Sequence, residues 1–116
     1  MGITYIEGVV TGPTGQRTVE FLIDSGATYT LLPKDVWQAI GLVSKRTASF
    51  PLSDGSHIER HISECHIRLT VGDGNGPAIL GEEGDEALLG LVTLGNLGLV
   101  FNPFKRTLHP IRSGLV

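Results

Sequence analysis

The chain has 116 residues, and its 12 Asp and Glu against 9 Lys and Arg leave a net charge of −3. That length suits one hydrophobic core, and that charge lacks the basic excess that draws a protein to nucleic acid or anionic lipid. Hydrophobic residues make up 41% and charged residues 18%, which excludes a disordered chain and, with few charges to wet the exterior, favours cover by a partner subunit. One cysteine, Cys65, excludes an internal disulfide. No basic leader, lipidation signal or bilayer-length apolar run stands in the sequence, so the expectation is a single domain over residues 1–116 in the cytoplasm, without a membrane partner. Met1 falls a residue or two before the first expected strand, and no propeptide is expected.

Glycine contributes 16 residues, about twice the usual share, and lies between β-branched runs without a fixed period, as tight turns between strands require. Residues 3–10 and 17–23 are β-prone, and Thr11 to Gln16 supplies the turn of an opening hairpin with Val19, Phe21 and Ile23 on one face. The stretch Asp24-Ser25-Gly26-Ala27-Thr28 interrupts the second strand before Thr30, Leu31 and Leu32 resume it, so a sharp loop presents Asp24. Pro33 suits a helix start, Lys34 to Ile40 form a short helix, and Gly41 ends it.

Residues 47–52 and 56–72 flank Asp54-Gly55, a dipeptide suited to a two-residue turn, and a long hairpin is expected. Along its return strand Ile58 and Ile62 share one face, whereas Cys65, Ile67, Leu69 and Val71 share the other, which predicts a bulge near Ser63 and Glu64. A loop over Gly72 to Gly76, a short strand at 77–80 and an acidic loop from Glu82 to Glu86 follow. That loop reads as solvated, attraction of basic substrates being the sharper alternative. Ala87-Leu88-Leu89-Gly90 then reads as a buried strand, 91–97 as a helix, and 98–101 and 107–111 as closing strands. No domain boundary or repeat interrupts this order.

An acid directly after the apolar strand Phe21-Leu22-Ile23 needs a reason. The apolar-apolar-Asp24-Ser25-Gly26-Ala27 pattern resembles that of the retropepsin-like aspartic proteases, the single-domain relatives of retroviral protease. Leu88-Leu89-Gly90 with its following helix is similar to that family's apolar-apolar-glycine element, and Leu52-Ser53-Asp54-Gly55-Ser56 falls where the family has its flap. The three elements keep the family's order across nearly the whole chain. The resemblance implies a mostly β fold, a single-domain closed β-barrel with a flap hairpin and two short helices, assembled as a twofold symmetric dimer.

The implied chemistry is peptide hydrolysis. Two carboxylates about 3 Å apart share one proton, so the ionised member takes a proton from water while the protonated one donates to the scissile carbonyl. This chain has a single Asp-Ser-Gly, so a second Asp24 must come from a second copy, and a homodimer acting on a peptide or protein substrate is expected. Carried over residue by residue, Gly26 allows close backbone approach at the axis, Ser25 braces the loop across the dimer, Ala27 lines the cleft, and Thr28 completes the dyad support. Leu52, Ser53, Asp54, Gly55, Ser56 and His57 would close over an extended peptide with preferably apolar side chains at the cut, and Leu88, Leu89 and Gly90 would pack beneath the Asp24 loop. A mildly acidic optimum and no cofactor are implied.

Competing readings remain open. A noncatalytic dimerisation or peptide-binding module on the same fold fits the sparse glycine of the flap. His57, Glu59 and His61 alternate on one strand face, with Cys65 of the same parity, and could present metal ligands. Solvent-facing polar residues give the same string, and no metal is expected. A serine nucleophile at Ser25 would need a histidine base, whereas the histidines fall in the flap strand and C-terminal tail. Gly12 to Thr18 has the wrong spacing for a phosphate loop and no lysine before its Thr.

Overall fold

Alternating apolar residues set the inner wall of a barrel. Val19, Phe21 and Ile23 of the second strand are all buried, as are Cys65, Ile67 and Leu69 of the fifth. The computed structural model describes residues 3–23 and 26–111. In chain order the elements are β1 (Tyr5–Gly12), β2 (Gly15–Ile23), β3 (Thr30–Leu32), α1 (Lys34–Ala39), β4 (Arg46–Pro51), β5 (His57–Leu69), β6 (Gly72–Leu80), β7 (Leu88–Leu89), α2 (Leu91–Asn96), β8 (Leu99–Asn102) and β9 (Thr107–Pro110).

The strands run in the order β1-β2-β7-β3-β6-β5-β4, and an additional β1–β5 pairing closes the first six into a ring. Closure satisfies the backbone groups that an open edge would leave unpaired. Val9, Val10 and Thr11 pair with Arg68, Ile67 and His66 at the seam. The strand β4 stays outside the ring, hanging on β5, and β8–β9 form a separate two-stranded sheet. Among the described residues no helix is long and apolar enough to cross a membrane.

The opening hairpin turns more tightly than Thr11 to Gln16 suggests, because pairing continues to Gly12 opposite Gly15. Its tip docks on the end of α1: the Thr14 backbone N–H donates to the Ile40 carbonyl at 3.1 Å and its hydroxyl donates to the Ala39 carbonyl at 3.0 Å. These bonds take up carbonyls that a helix end leaves without partners. Pro33 stands one place before α1, and Gly41, at φ +77°, ends it. Trp37 packs against the core, and its indole N–H donates to the Gly81 carbonyl at 2.8 Å.

Three local expectations need correction. The β4–β5 turn is not a two-residue Asp54-Gly55 turn. The Leu52 N–H donates to the Ser56 carbonyl and the Gly55 N–H to the Leu52 carbonyl, so Ser53, Asp54 and Gly55 lie inside the loop. Only Gly55 takes a positive φ, +89°, because Asp54 instead uses its carboxylate to accept from the Ser56 N–H at 2.9 Å and from the Ser56 hydroxyl.

Second, β5 has no bulge. Its pairing with β6 runs unbroken from Ile62 opposite Ile79 to Leu69 opposite Gly72. The change of buried parity at Ile62 and Ser63, both buried, arises because the strand passes from the β4 hairpin into the barrel, where the interior lies on its other face.

Third, Gly72 to Gly76 form strand rather than loop, and Val71 lies in the turn, exposed, instead of in the core. The glycines have a packing reason. A Cβ on Gly72 would stand 3.3 Å from the Leu97 carbonyl, one on Gly74 would stand 3.3 Å from Leu97 Cδ1, and one on Gly76 would stand 3.3 Å from the Thr93 hydroxyl. Absent side chains thus let α2 and its end lie directly against β6.

Candidate active site

Strand β7 lies between β2 and β3, parallel to β2 and antiparallel to β3, so the chain that leaves the ring at Ile23 of β2 rejoins it at Thr30 of β3, two strands away. Asp24 and Ser25 lie outside the described residues. Gly26 and Thr28 are exposed and Ala27 is half-buried.

Ala27 and Thr28, after Asp24 in the sequence, are anchored to α2. The Leu91 N–H donates to the Ala27 carbonyl at 3.0 Å, and the Val92 N–H donates to the Thr28 carbonyl at 2.9 Å. Two helix N–H groups that would lack partners are thereby satisfied by loop carbonyls, and the loop gains two fixed points. Gly90 lies under this bridge. A Cβ there would press on the Tyr29 carbonyl carbon and stand 2.6 Å from the Tyr29 oxygen and 2.7 Å from the Thr28 oxygen. Leu88 and Leu89 pair beside Leu22 and Ile23, with Leu89 fully buried and Leu88 half-buried.

Beneath the loop lies a polar cluster that sequence reasoning missed. Thr30 and Thr93, both fully buried, hold their hydroxyls 2.6 Å apart, and Thr30 Oγ1 also accepts from the Gly90 N–H at 3.1 Å. The signal was present in the parity of Thr30-Leu31-Leu32, which places Thr30 on the same side as the core residue Leu32. A hydroxyl at such a position requires a buried partner.

The β4–β5 hairpin, which holds the expected flap residues, has two unlike faces. Arg46 opposes Ile62, Ala48 opposes Arg60 and Phe50 opposes Ile58, so these six share one face. Of them only Arg46 is exposed, whereas Thr47, Ser49, Pro51, His57, Glu59 and His61 on the other face are all exposed. The inner face is tied to the barrel. The rings of Phe50 and Tyr29 meet edge to face with centroids 5.9 Å apart, the Arg46 guanidinium lies 6.0 Å over the Tyr29 ring, and Arg60 pairs with Glu82 at 3.3 Å. Leu52 to Ser56 at the tip are exposed, and the two bonds from Ser56 hold the Asp54 carboxyl below its usual range.

The acidic loop is knitted to the rest of the fold. Besides the Arg60–Glu82 pair, Asp85 Oδ2 accepts from the Glu82 N–H at 2.6 Å, and Tyr5 donates to Glu86 at 3.2 Å. The negative charge of Glu86 raises the Tyr5 phenol above its ordinary value. His57, Glu59 and His61 point outward, His61 Nδ1 lies 2.8 Å from the Ser44 hydroxyl, and among the described residues no three His, Cys, Asp or Glu come close enough together to hold a metal ion. Cys65, also weighed as a ligand, lies further along the same strand face, where that face has turned into the barrel core and is buried, and burial pushes its thiol up to about 12.

A closed six-stranded barrel, an Asp-Ser-Gly-Ala sequence that follows β2, and an apolar-apolar-glycine strand leading into a short helix that binds Ala27 and Thr28 are together the features of an aspartic-protease barrel. Residues 10–96 match the family model described as "gag-polyprotein putative aspartyl protease", and the chain belongs to that retropepsin-type family. The match runs from within β1 to the end of α2. A comparison with curated proteins found no match.

Proposed function

We propose that the protein is a homodimeric aspartic endopeptidase in which Asp24 of two chains forms the catalytic dyad. The observation that carries this reading is the anchoring of the Asp24 loop. Leu91 and Val92 grip Ala27 and Thr28 from one side, and Thr30 holds Gly90 from below. A dyad needs carboxylates placed to within a fraction of an ångström, and a loop braced at its exit by helix N–H groups and a buried hydroxyl meets that need.

In this mechanism the two carboxyls share one proton. The ionised Asp24 accepts a proton from water as that water attacks the scissile carbonyl, and the protonated Asp24 of the other copy donates to the carbonyl oxygen. Collapse of the tetrahedral intermediate then passes a proton to the leaving amine. Gly26 leaves room for backbone approach at the twofold axis, and Ser25 braces the loop across it. The β4–β5 hairpin acts as a flap, with Leu52 to His57 closing over an extended peptide. Its half-buried inner residues Ala48, Phe50 and Ile58 offer apolar surface to the substrate's side chains.

The test is Asp24→Asn, which keeps the shape and removes the shared proton. Loss of peptide cleavage with an unchanged melting temperature supports the dyad, whereas cleavage at the wild-type rate overturns it. Activity per chain must also fall on dilution below the dimer dissociation constant. Specific peptide binding by a wild-type dimer that never cleaves would favour the noncatalytic module.

A further inference from the structure

The inner face of the β4–β5 hairpin carries two arginines with different fates. Arg60 is neutralised by Glu82 at 3.3 Å. Arg46, at the base of the same face, has no carboxylate partner among the described residues and lies over the Tyr29 ring at 6.0 Å. Tyr29 in turn meets Phe50 edge to face, and its carbonyl packs on Gly90 beneath the Asp24 loop. The cation on the hairpin therefore lies over Tyr29, a ring that also meets Phe50 of the same hairpin.

A guanidinium drawn over an aromatic ring is attracted there without being satisfied. The contact takes up none of its N–H donors, and their fork matches the two oxygens of a carboxylate. Phe50 and Tyr29, both half-buried, offer apolar surface against which a short methylene stem can lie. We infer that Tyr29, Phe50 and Arg46 form a side-chain subsite in which Arg46 selects a glutamate or aspartate of the substrate. This inference rests on the proposed peptide-binding cleft. It places the acidic preference at a position flanking the cut, since Tyr29 lies five residues past Asp24 in the sequence.

The experiment uses the full chain and a set of fluorogenic peptides in which each of the three positions on either side of the cut is in turn Glu, Gln or Lys. The expected result is one position at which Glu exceeds Lys by about tenfold in kcat/KM. Arg46→Glu inverts that ratio, Arg46→Gln brings it to within about twofold of unity, and added salt weakens the wild-type preference. A Glu to Lys ratio that is the same in wild type and Arg46→Glu, or no position preferring Glu, overturns the inference while leaving proteolysis intact. If no peptide is cut, the same ratios are read as dissociation constants by fluorescence anisotropy. Dependence on Arg46 there upholds the subsite although the protease reading has failed, and equal or undetectable binding overturns the subsite as well.

Discussion

Thr30 and Thr93 face each other across the floor of the candidate site with their hydroxyl oxygens 2.6 Å apart. Thr30 belongs to β3 and Thr93 to α2, and the Gly90 N–H completes the cluster through Thr30. One hydroxyl thus joins a strand, a helix and the glycine packed against the Thr28 and Tyr29 backbone. Thr30→Val removes the acceptor for Gly90 and the partner of Thr93 together, and is expected to cost about 2–3 kcal/mol in urea unfolding. Thr93→Val leaves Gly90 satisfied and should cost less. Equal losses for the two would refute this division of roles.

Gly90→Ala introduces a Cβ against the Thr28 and Tyr29 carbonyls, both backbone atoms that cannot rotate away. Overpacking of this kind costs about 1–3 kcal/mol. Because the strain falls on the exit of the Asp24 loop, kcat should fall more than melting temperature does. Gly55→Ala is the contrast: Gly55 has open space around it but a φ of +89°, so its substitution strains only the hairpin tip and should raise KM with a smaller effect on kcat.

Burial raises the Cys65 thiol to about 12 from an ordinary 9.0. Folding therefore favours the neutral thiol, and the unfolded chain loses its proton first as pH rises. The stability that the neutral thiol contributes is complete below pH 9.0 and is lost as pH climbs toward about 12. Thermal melts across this range should fall more steeply for the wild type than for Cys65→Ala, and a thiol reagent should label the native protein slowly. Parallel pH profiles would contradict the assignment.

Asp54 behaves in the opposite sense. The Ser56 hydroxyl and then the Ser56 N–H stabilise its ionised form and lower its pKa. What these bonds contribute is present above the ordinary carboxylate value and is lost only as pH drops through the lower, folded-state value. The two Ser56 bonds accordingly persist under mildly acidic conditions, such as the proposed shared-proton dyad would use. Asp54→Ala should speed amide exchange at Ser56 and leave the global melting temperature unchanged; unaltered exchange would remove Asp54 from any part in shaping the tip.

The sequence was most informative where side chains repeat with strand or helix period. The Val19, Phe21 and Ile23 face lies where patterning puts it, the helix expected over Lys34 to Ile40 spans Lys34–Ala39, and the strand expected over Ala87 to Gly90 is present as Leu88–Leu89. Glycine misled at 72–76, since a residue suited to turns also suits a strand that a helix must touch. Ring closure by Val9 to Thr11 against His66 to Arg68 leaves no local trace, because residues so distant in sequence meet only through the barrel's curvature. The same holds for the site. Asp24 and Gly90 stand out by motif, whereas Tyr29 against Phe50 and Thr30 against Thr93 depend on which elements come together in space.

Strand β5 runs 13 residues from the hairpin tip to the barrel seam. Its outer half pairs with β4, and its inner half pairs with β6 and β1. It is a cantilever built into the wall that supports it, with no hinge of its own. A load that lifts the tip is carried into the same ladder that shuts the barrel, so displacement is greatest at Gly55 and dies away toward Ile62, where the two halves share a single residue.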